Sequence, residues 1–173
     1  FIHDVTYFSI SIALLHKEKL VVGIIYDIIH EEAFYAFKDG GAFLNGERIK
    51  VSDTKKLDDS LLATGFPYYD YQQIEEYINF LRFTMQNSRG IRRLGSAALD
   101  LAWVACGRFD GFYEYGLRPW DVAAGIIIVD EAGGKVADFN GRNNMLFGKE
   151  IITTNSNIYA EFLSQIKFYF NKI

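Results

Sequence analysis

The stretch Tyr113-Glu114-Tyr115-Gly116-Leu117-Arg118-Pro119-Trp120-Asp121-Val122-Ala123-Ala124-Gly125 decides how the rest of the chain is read. A strand ending near Tyr115 delivers Glu114 close to a loop, and the loop feeds a helix whose first turn holds Asp121. In open α/β sheets such strand-to-helix loops are where ligands bind. Position alone leaves plainer alternatives open. Asp121 reads equally as an N-cap or first-turn acid favoured by the helix dipole, and Glu114 as a solvated strand-end acid. Further along the helix, Ile126 to Val129 is apolar on all sides, which predicts burial on both faces, and Gly133-Gly134 stops it.

Upstream of this stretch, Gly90 to Leu94 and Phe109 to Tyr115 read as strands flanking a helix from about Ser96 to Cys106, with Ser96 placed as its N-cap. The segment Arg92-Arg93-Leu94-Gly95-Ser96-Ala97-Ala98 opens that helix with small residues, which let a ligand approach free backbone amides. Tight packing is the simpler reading of the same residues. Leu61 to Thr64 is a short strand ending at Gly65-Phe66-Pro67. Ile74, Tyr77, Ile78 and Leu81 then recur at helical spacing and mark an amphipathic helix. The first third reads as strands: Phe8 to Ile12, Leu20 to Ile29, Ala33 to Phe37, and a hairpin of Ala42 to Leu44 and Glu47 to Val51 turning at Asn45-Gly46. Downstream, Lys135 to Phe139 and Glu150 to Thr154 are strands, and a last helix carries Ile158, Phe162, Ile166 and Phe170 on one face. Alternating strands and helices predict an α/β or layered α+β fold. No repeat, linker or composition shift divides residues 1-173, so no internal domain boundary is expected.

Composition narrows the classes. Of 173 residues, half are hydrophobic and 16% aromatic, ample for a core and against disorder. A net charge of −4 with signs mixed along the chain gives no basic stripe, and so no signal for nucleic-acid binding. The single Cys106 excludes an intrachain disulfide framework and a cysteine-rich zinc site; lying in an apolar run, it reads as a small core residue in a reducing cytoplasm. No apolar stretch is long enough to span a bilayer. His3, His16 and His30 lack metal-ligand spacing. Asp58-Asp59 and Glu75-Glu76 read as solvated charges. Gly40-Gly41 belongs to a turn without a phosphate-loop pattern, and Ser9 and Ser11 lack a nucleophile elbow.

Taken together, Pro119-Trp120-Asp121-Val122-Ala123-Ala124-Gly125, Glu131-Ala132-Gly133-Gly134, Gly95-Ser96-Ala97-Ala98 and Gly40-Gly41-Ala42-Phe43-Leu44-Asn45-Gly46 resemble, in order and spacing, the C-terminal portion of the inositol monophosphatase family. The resemblance implies the layered αβαβα sugar-phosphatase fold. It also implies magnesium-dependent hydrolysis of a small polyol phosphate, with inositol 1-phosphate first and fructose bisphosphate or histidinol phosphate as alternatives. On it, Asp121 would bind a magnesium ion, one of two or three in the family. Glu114 would accept hydrogen bonds from substrate hydroxyls, and Gly95, Ser96 and Ala97 would border the sugar ring. Such a division suits magnesium, which takes few carboxylates and leaves room for phosphate oxygens and water.

The resemblance begins at Phe1-Ile2-His3, which looks like the residues just after the family's glycine-threonine-threonine-asparagine run. The family's other acidic motifs lie before that run, so the catalytic residues are expected upstream of Phe1 and none in this chain. The chain taken alone is expected to be inactive, with strand edges left uncovered. A cytoplasmic homodimer is the family's common form. Some bacterial members similar at Gly116-Leu117-Arg118-Pro119-Trp120-Asp121 work with the transcription machinery in ribosomal RNA synthesis. That makes Arg118 the residue to watch for an RNA-polymerase-binding role. A helix-start contact or an acid partner is its plainer reading.

Overall fold

The computed structural model describes residues 3–170. Phe1 and Ile2, on which part of the upstream resemblance rests, lie outside the described residues. The first sheet is an antiparallel meander in chain order: β1 (Ser9–His16), β2 (Lys19–Asp27), β3 (Glu32–Phe37), β4 (Gly41–Leu44) and β5 (Glu47–Ile49). Its last turn carries positive φ at both Asn45 (48°) and Gly46 (91°), as a type I′ hairpin requires.

The second sheet is mixed. It contains β6 (Leu61–Thr64), β7 (Gly90–Arg92), β8 (Gly111–Tyr115), β9 (Lys135–Ala137) and β10 (Glu150–Thr154), in the order β7-β6-β8-β10-β9. The helices are α1 (Ile74–Gln86), α2 (Ala97–Ala105), α3 (Pro119–Glu131) and α4 (Tyr159–Tyr169). Strand β6 runs parallel to both neighbours, β7 and β8. The crossover through α1 moves one way across the sheet and the crossover through α2 moves back. Parallel crossovers share one hand, so the two helices end on opposite faces.

Two cores follow. One joins β2, β3 and β4 to α2, α3 and the near face of the second sheet, through Ile25, Phe34, Leu99, Leu101, Phe112, Ile128 and Ile151. The other joins the far face of that sheet to α1 and α4, through Leu62, Tyr77, Phe80, Tyr113, Ile152, Phe162 and Ile166. The order is therefore sheet, helix pair, sheet, helix pair, a layered α+β fold as expected. Ile126 to Val129 are all buried, because α3 lies between the sheets. Gly125 has a packing reason: a Cβ there would fall 2.4 Å from Leu101 Cδ1, so α2 and α3 touch backbone to side chain at that point.

Several boundaries differ from the sequence expectation. Strand β1 runs on to His16, past a register shift between Leu14 and Leu15, where two adjacent leucines break the alternation. β2 stops at Asp27 rather than Ile29, since the Asp27 carboxylate accepts from the amides of Ile29 (3.1 Å) and His30 (3.2 Å) and turns the chain. β7 ends at Arg92 because β6 pairs with it only from Leu61 to Ala63. β1 is the outermost strand, and Ile10, Ile12 and Leu14 on its outer face are 49%, 57% and 56% exposed.

Candidate functional site

The loop after β8 and the first turns of α2 and α3 converge. Gly95, Ser96, Ala97, Glu114, Arg118 and Asp121 all line one cleft of about 650 Å³, which Tyr7, Ser9, Ser11, Gly65 and Arg93 complete. Each of those positions has a local cause. Ser96 caps α2, its Oγ accepting from the Leu99 amide at 3.4 Å, and so the small residues sit at the helix mouth. Pro119 opens α3 at a position where a missing N–H costs nothing. Asp121 Oδ2 accepts from the Arg118 amide at 2.8 Å, which ties the loop to the helix start and leaves Oδ1 for another partner. Ser11 Oγ donates to the Trp120 carbonyl at 3.2 Å and fixes β1 against the same turn.

Glu114 is not the solvated acid of the plainer reading. It is 6% exposed and lies on the lining of the cleft. It lies over Gly65, where a Cβ would stand 2.0 Å from Oε2, so the glycine of Gly65-Phe66-Pro67 is the floor that admits the acid. Burial is the main cause that pushes its pKa up to about 8. Asp100 and Asp121 add to the rise, and Arg93 opposes it.

Asp100 is the residue that sequence reasoning missed. It sits in the first turn of α2, 1% exposed, and accepts from the Tyr7 hydroxyl at 3.1 Å. Burial raises its pKa to about 7, while the Tyr7 hydrogen bond and Arg93 pull the other way. The available signal was a single charge in an otherwise apolar helix, Leu99-Asp100-Leu101-Ala102-Trp103-Val104. Tyr7, lying before the first strand, had no pattern to reveal it.

Other expectations resolve simply. Gly40-Gly41 holds an internal anion: Glu131 accepts from the Asp39 and Gly41 amides at 2.7 and 2.8 Å, so the Glu131-Ala132-Gly133-Gly134 segment pins the β3–β4 turn to the end of α3. His30 Nδ1 pairs with Asp27 at 2.7 Å. Cys106 is half-buried beside the first core. Among the described residues no helix is long and apolar enough to cross a membrane, and no three His, Cys, Asp or Glu side chains cluster as a metal site. The described residues therefore do not by themselves fit a resident magnesium ion: Asp121 and Glu114 share the cleft lining, and no third such side chain joins them in a cluster.

A layered α+β protein with its cleft at two helix mouths belongs to a recognisable class, and comparison with known proteins specifies it. The inositol monophosphatase family model matches residues 1–169, and the chain belongs to that family. It is 43% identical over 169 residues to the Nus factor SuhB of Pseudomonas aeruginosa, covering 96% of this chain and 62% of the relative. The crystal structure of the extragenic suppressor protein suhB from Bartonella henselae superimposes with a TM-score of 0.91 at 44% identity, covering 95% of this chain and 63% of that one. Inositol monophosphatase from Anabaena gives 0.89 at 42% identity, covering 96% and 66%. The chain thus spans about 62% of the length of the curated relatives it matches.

Proposed function

We propose that this chain forms the polyol-binding wall of a phosphate-monoester hydrolase, with an inositol-like monophosphate as substrate. The observation that carries the reading is Glu114, a carboxylate only 6% exposed that lines a cleft together with Gly95, Ser96, Ala97 and Asp121. A carboxylate held at such a place is stabilised by a ligand that supplies donors, and vicinal ring hydroxyls are donors of the right kind. Gly95, with φ at 104°, and the small side chains after it leave space for a ring to lie against the α2 mouth.

In this reading Asp121 Oδ1 contributes one ligand to magnesium, and the remaining ligands come from outside the described residues. No hydrolytic step is derived from this chain, and the chain by itself is expected to release no phosphate. A cytoplasmic location and a homodimeric state belong to the same proposal. Titration calorimetry of the 173-residue chain with myo-inositol 1-phosphate, in magnesium chloride, tests it. Glu114→Ala is expected to weaken binding by about tenfold. Equal affinity of the variant and the parent chain would refute the reading.

A second reading rests on Trp120, which is 69% exposed beside the exposed Arg118 at the start of α3. Exposed Trp and Arg are favoured anchors of protein interfaces, and relatives at 43% identity are named Nus factors. In this reading the turn docks on the transcription machinery. Arg118→Ala, assayed for RNA polymerase binding and, with the remaining part of the family domain supplied, for phosphate release, separates the two. Loss of polymerase binding alone supports docking, and loss of hydrolysis alone rejects it.

A further inference from the structure

The segment before β1 has no helix or strand from His3 to Phe8, and residues 3–6 are exposed. At Tyr7 the chain becomes half-buried and meets the first turns of α2. The Tyr7 hydroxyl donates to Asp100 Oδ1 at 3.1 Å, across 93 residues of sequence. Its ring stands edge-on to Trp103, with centroids 5.8 Å apart and planes at 86°. Trp103 is itself braced by the Phe109 ring at 5.4 Å and the Arg108 guanidinium at 5.2 Å. Helix α2 thus grips Tyr7 twice, through a buried acceptor and through an aromatic edge.

Asp100 is 1% exposed in a helix that is otherwise apolar from Ala97 to Ala105. A neutral acceptor would tie Tyr7 down without the cost of burying a carboxylate. The location of the pair gives the charge a use. Tyr7, Ser9 and Ser11 line the cleft from the β1 side, Gly95 to Ala98 line it at the α2 mouth, and Glu114 lines it from β8. The hydrogen bond therefore joins the β1 side to the α2 mouth. The groups that act on Glu114 are Asp100 of α2, Arg93 before that helix and Asp121 of α3, and Tyr77 of α1 feels its charge. Those that act on Asp100 are Tyr7 and Arg93.

We propose that Tyr7 and Asp100 are a positioning pair for the polyol, holding the β1 side of the cleft at a fixed separation from the α2 mouth and so selecting a ring over an open chain. The inference rests on the reading of the cleft as a polyol monophosphate site. A ring with hydroxyls on Glu114 has a fixed width, whereas an open-chain phosphate adapts to a wider gap, so loosening the pair costs the ring more. Asp100 acts in a second way. Its charge opposes that of Glu114, and Glu114 accepts from hydroxyls best when ionised. Burial raises Asp100 to about 7 and is the main cause that raises Glu114 to about 8. Asp100 is therefore charged over the range in which Glu114 ionises. Ring binding rises with pH through that range, and neutralising Asp100 moves the rise to lower pH.

Calorimetry on the 173-residue chain in magnesium chloride, from about pH 6 to about pH 9, compares myo-inositol 1-phosphate with glycerol 3-phosphate. The parent chain should prefer the ring by about tenfold. Tyr7→Phe removes the hydroxyl and keeps the Asp100 charge, and the preference should fall about fivefold. Asp100→Asn keeps an acceptor for Tyr7 and removes the charge. Its preference for the ring should survive, while the pH at which ring binding rises should move down. A variant that only loosens the fold weakens both ligands alike and leaves the pH profile in place. A preference preserved in Tyr7→Phe, or an Asp100→Asn profile that overlays the parent's, overturns the role of the pair, and either variant decides the matter should the other not fold. So does a parent chain that binds both ligands equally. In each of those cases a loss of affinity in Glu114→Ala, run alongside, leaves the polyol site standing. A parent chain that binds neither ligand, or a Glu114→Ala chain that binds as the parent does, overturns the polyol reading and the positioning pair with it.

Discussion

The two sheets are built from similar residues and live in different surroundings. The second sheet is covered on both faces, and its central strands β6, β8 and β10 are buried almost throughout: β8 reads Gly111-Phe112-Tyr113-Glu114-Tyr115 with every position buried. The first sheet is covered only on the side of α2 and α3. Its other face carries Ile10, Ile12, Leu14, Ile24 and Phe37 into solvent, in register across β1, β2 and β3. An apolar row of that extent is unusual on a free surface.

The largest effect expected from this difference is on equal truncations. Phe80→Ala empties a fully buried site where the ring packs on Tyr113, Phe162 and Tyr169, and should cost about 3–5 kcal/mol. Phe37→Ala removes a ring that is half exposed and stacks on Phe43, and should cost roughly 1 kcal/mol or less. Urea denaturation of both variants measures the gap. Similar losses would mean that the outer face of the first sheet is packed in solution after all.

The buried sheet also burdens its own acid. The Glu114 pKa stands near 8 against an ordinary value of 4.5. Between those values the folded state holds a proton that the unfolded chain has released, so stability falls as pH rises through that window. Below the ordinary value the two states are equally protonated and the penalty is absent. Glu114→Gln should therefore gain about 4 kcal/mol on the parent chain at about pH 9 relative to about pH 5. Asp100, displaced in the same direction, keeps a residual slope in the variant. A pH-independent difference between the two proteins would show that Glu114 is solvated when the chain is in solution.

Between the sheets, Gly125→Ala tests how rigidly α2 and α3 are held. Alanine gains about 1 kcal/mol in helix propensity over glycine, but its Cβ would stand within 2.4–2.9 Å of three Leu101 carbons. Overpacking of that kind costs about 1–3 kcal/mol, so a net loss of roughly 1 kcal/mol is expected in thermal melts. A net gain would show that the helix pair separates easily, and would place the uncovered first sheet on a soft support.

How far the sequence went is clear from particular residues. The layered class followed from strand and helix periods, and the converging residues of the cleft from Gly95-Ser96-Ala97-Ala98 and Pro119-Trp120-Asp121. Those are local patterns, and local patterns were legible. Asp100 and Tyr7 stayed hidden because their pairing spans 93 residues and leaves no spacing to count. Gly65 read only as the end of a strand, and its use as the floor under Glu114 exists only once β6 and β8 lie side by side. Glu131 passed as part of a motif, while its bonds to the Asp39 and Gly41 amides are a tertiary contact. The extent of β1 was underestimated where a register shift breaks the alternation that period counting needs.

The smallest effect on stability is expected at the edge strand, where the effect on association should be plain. Ile12 is 57% exposed and faces outward beside Ile24, so Ile12→Lys removes little buried area and should change folding free energy by about 0.5 kcal/mol or less. The same lysine places a charge on an edge strand whose free backbone groups and apolar row invite pairing with another chain, and charges of that kind are how natural edges avoid it. Light scattering across a concentration series should show the parent chain growing into larger species and the variant staying smaller. Equal growth of both would mean that association, where it occurs, uses another surface, and the exposed Trp120 turn at the start of α3 would then be the next place to substitute.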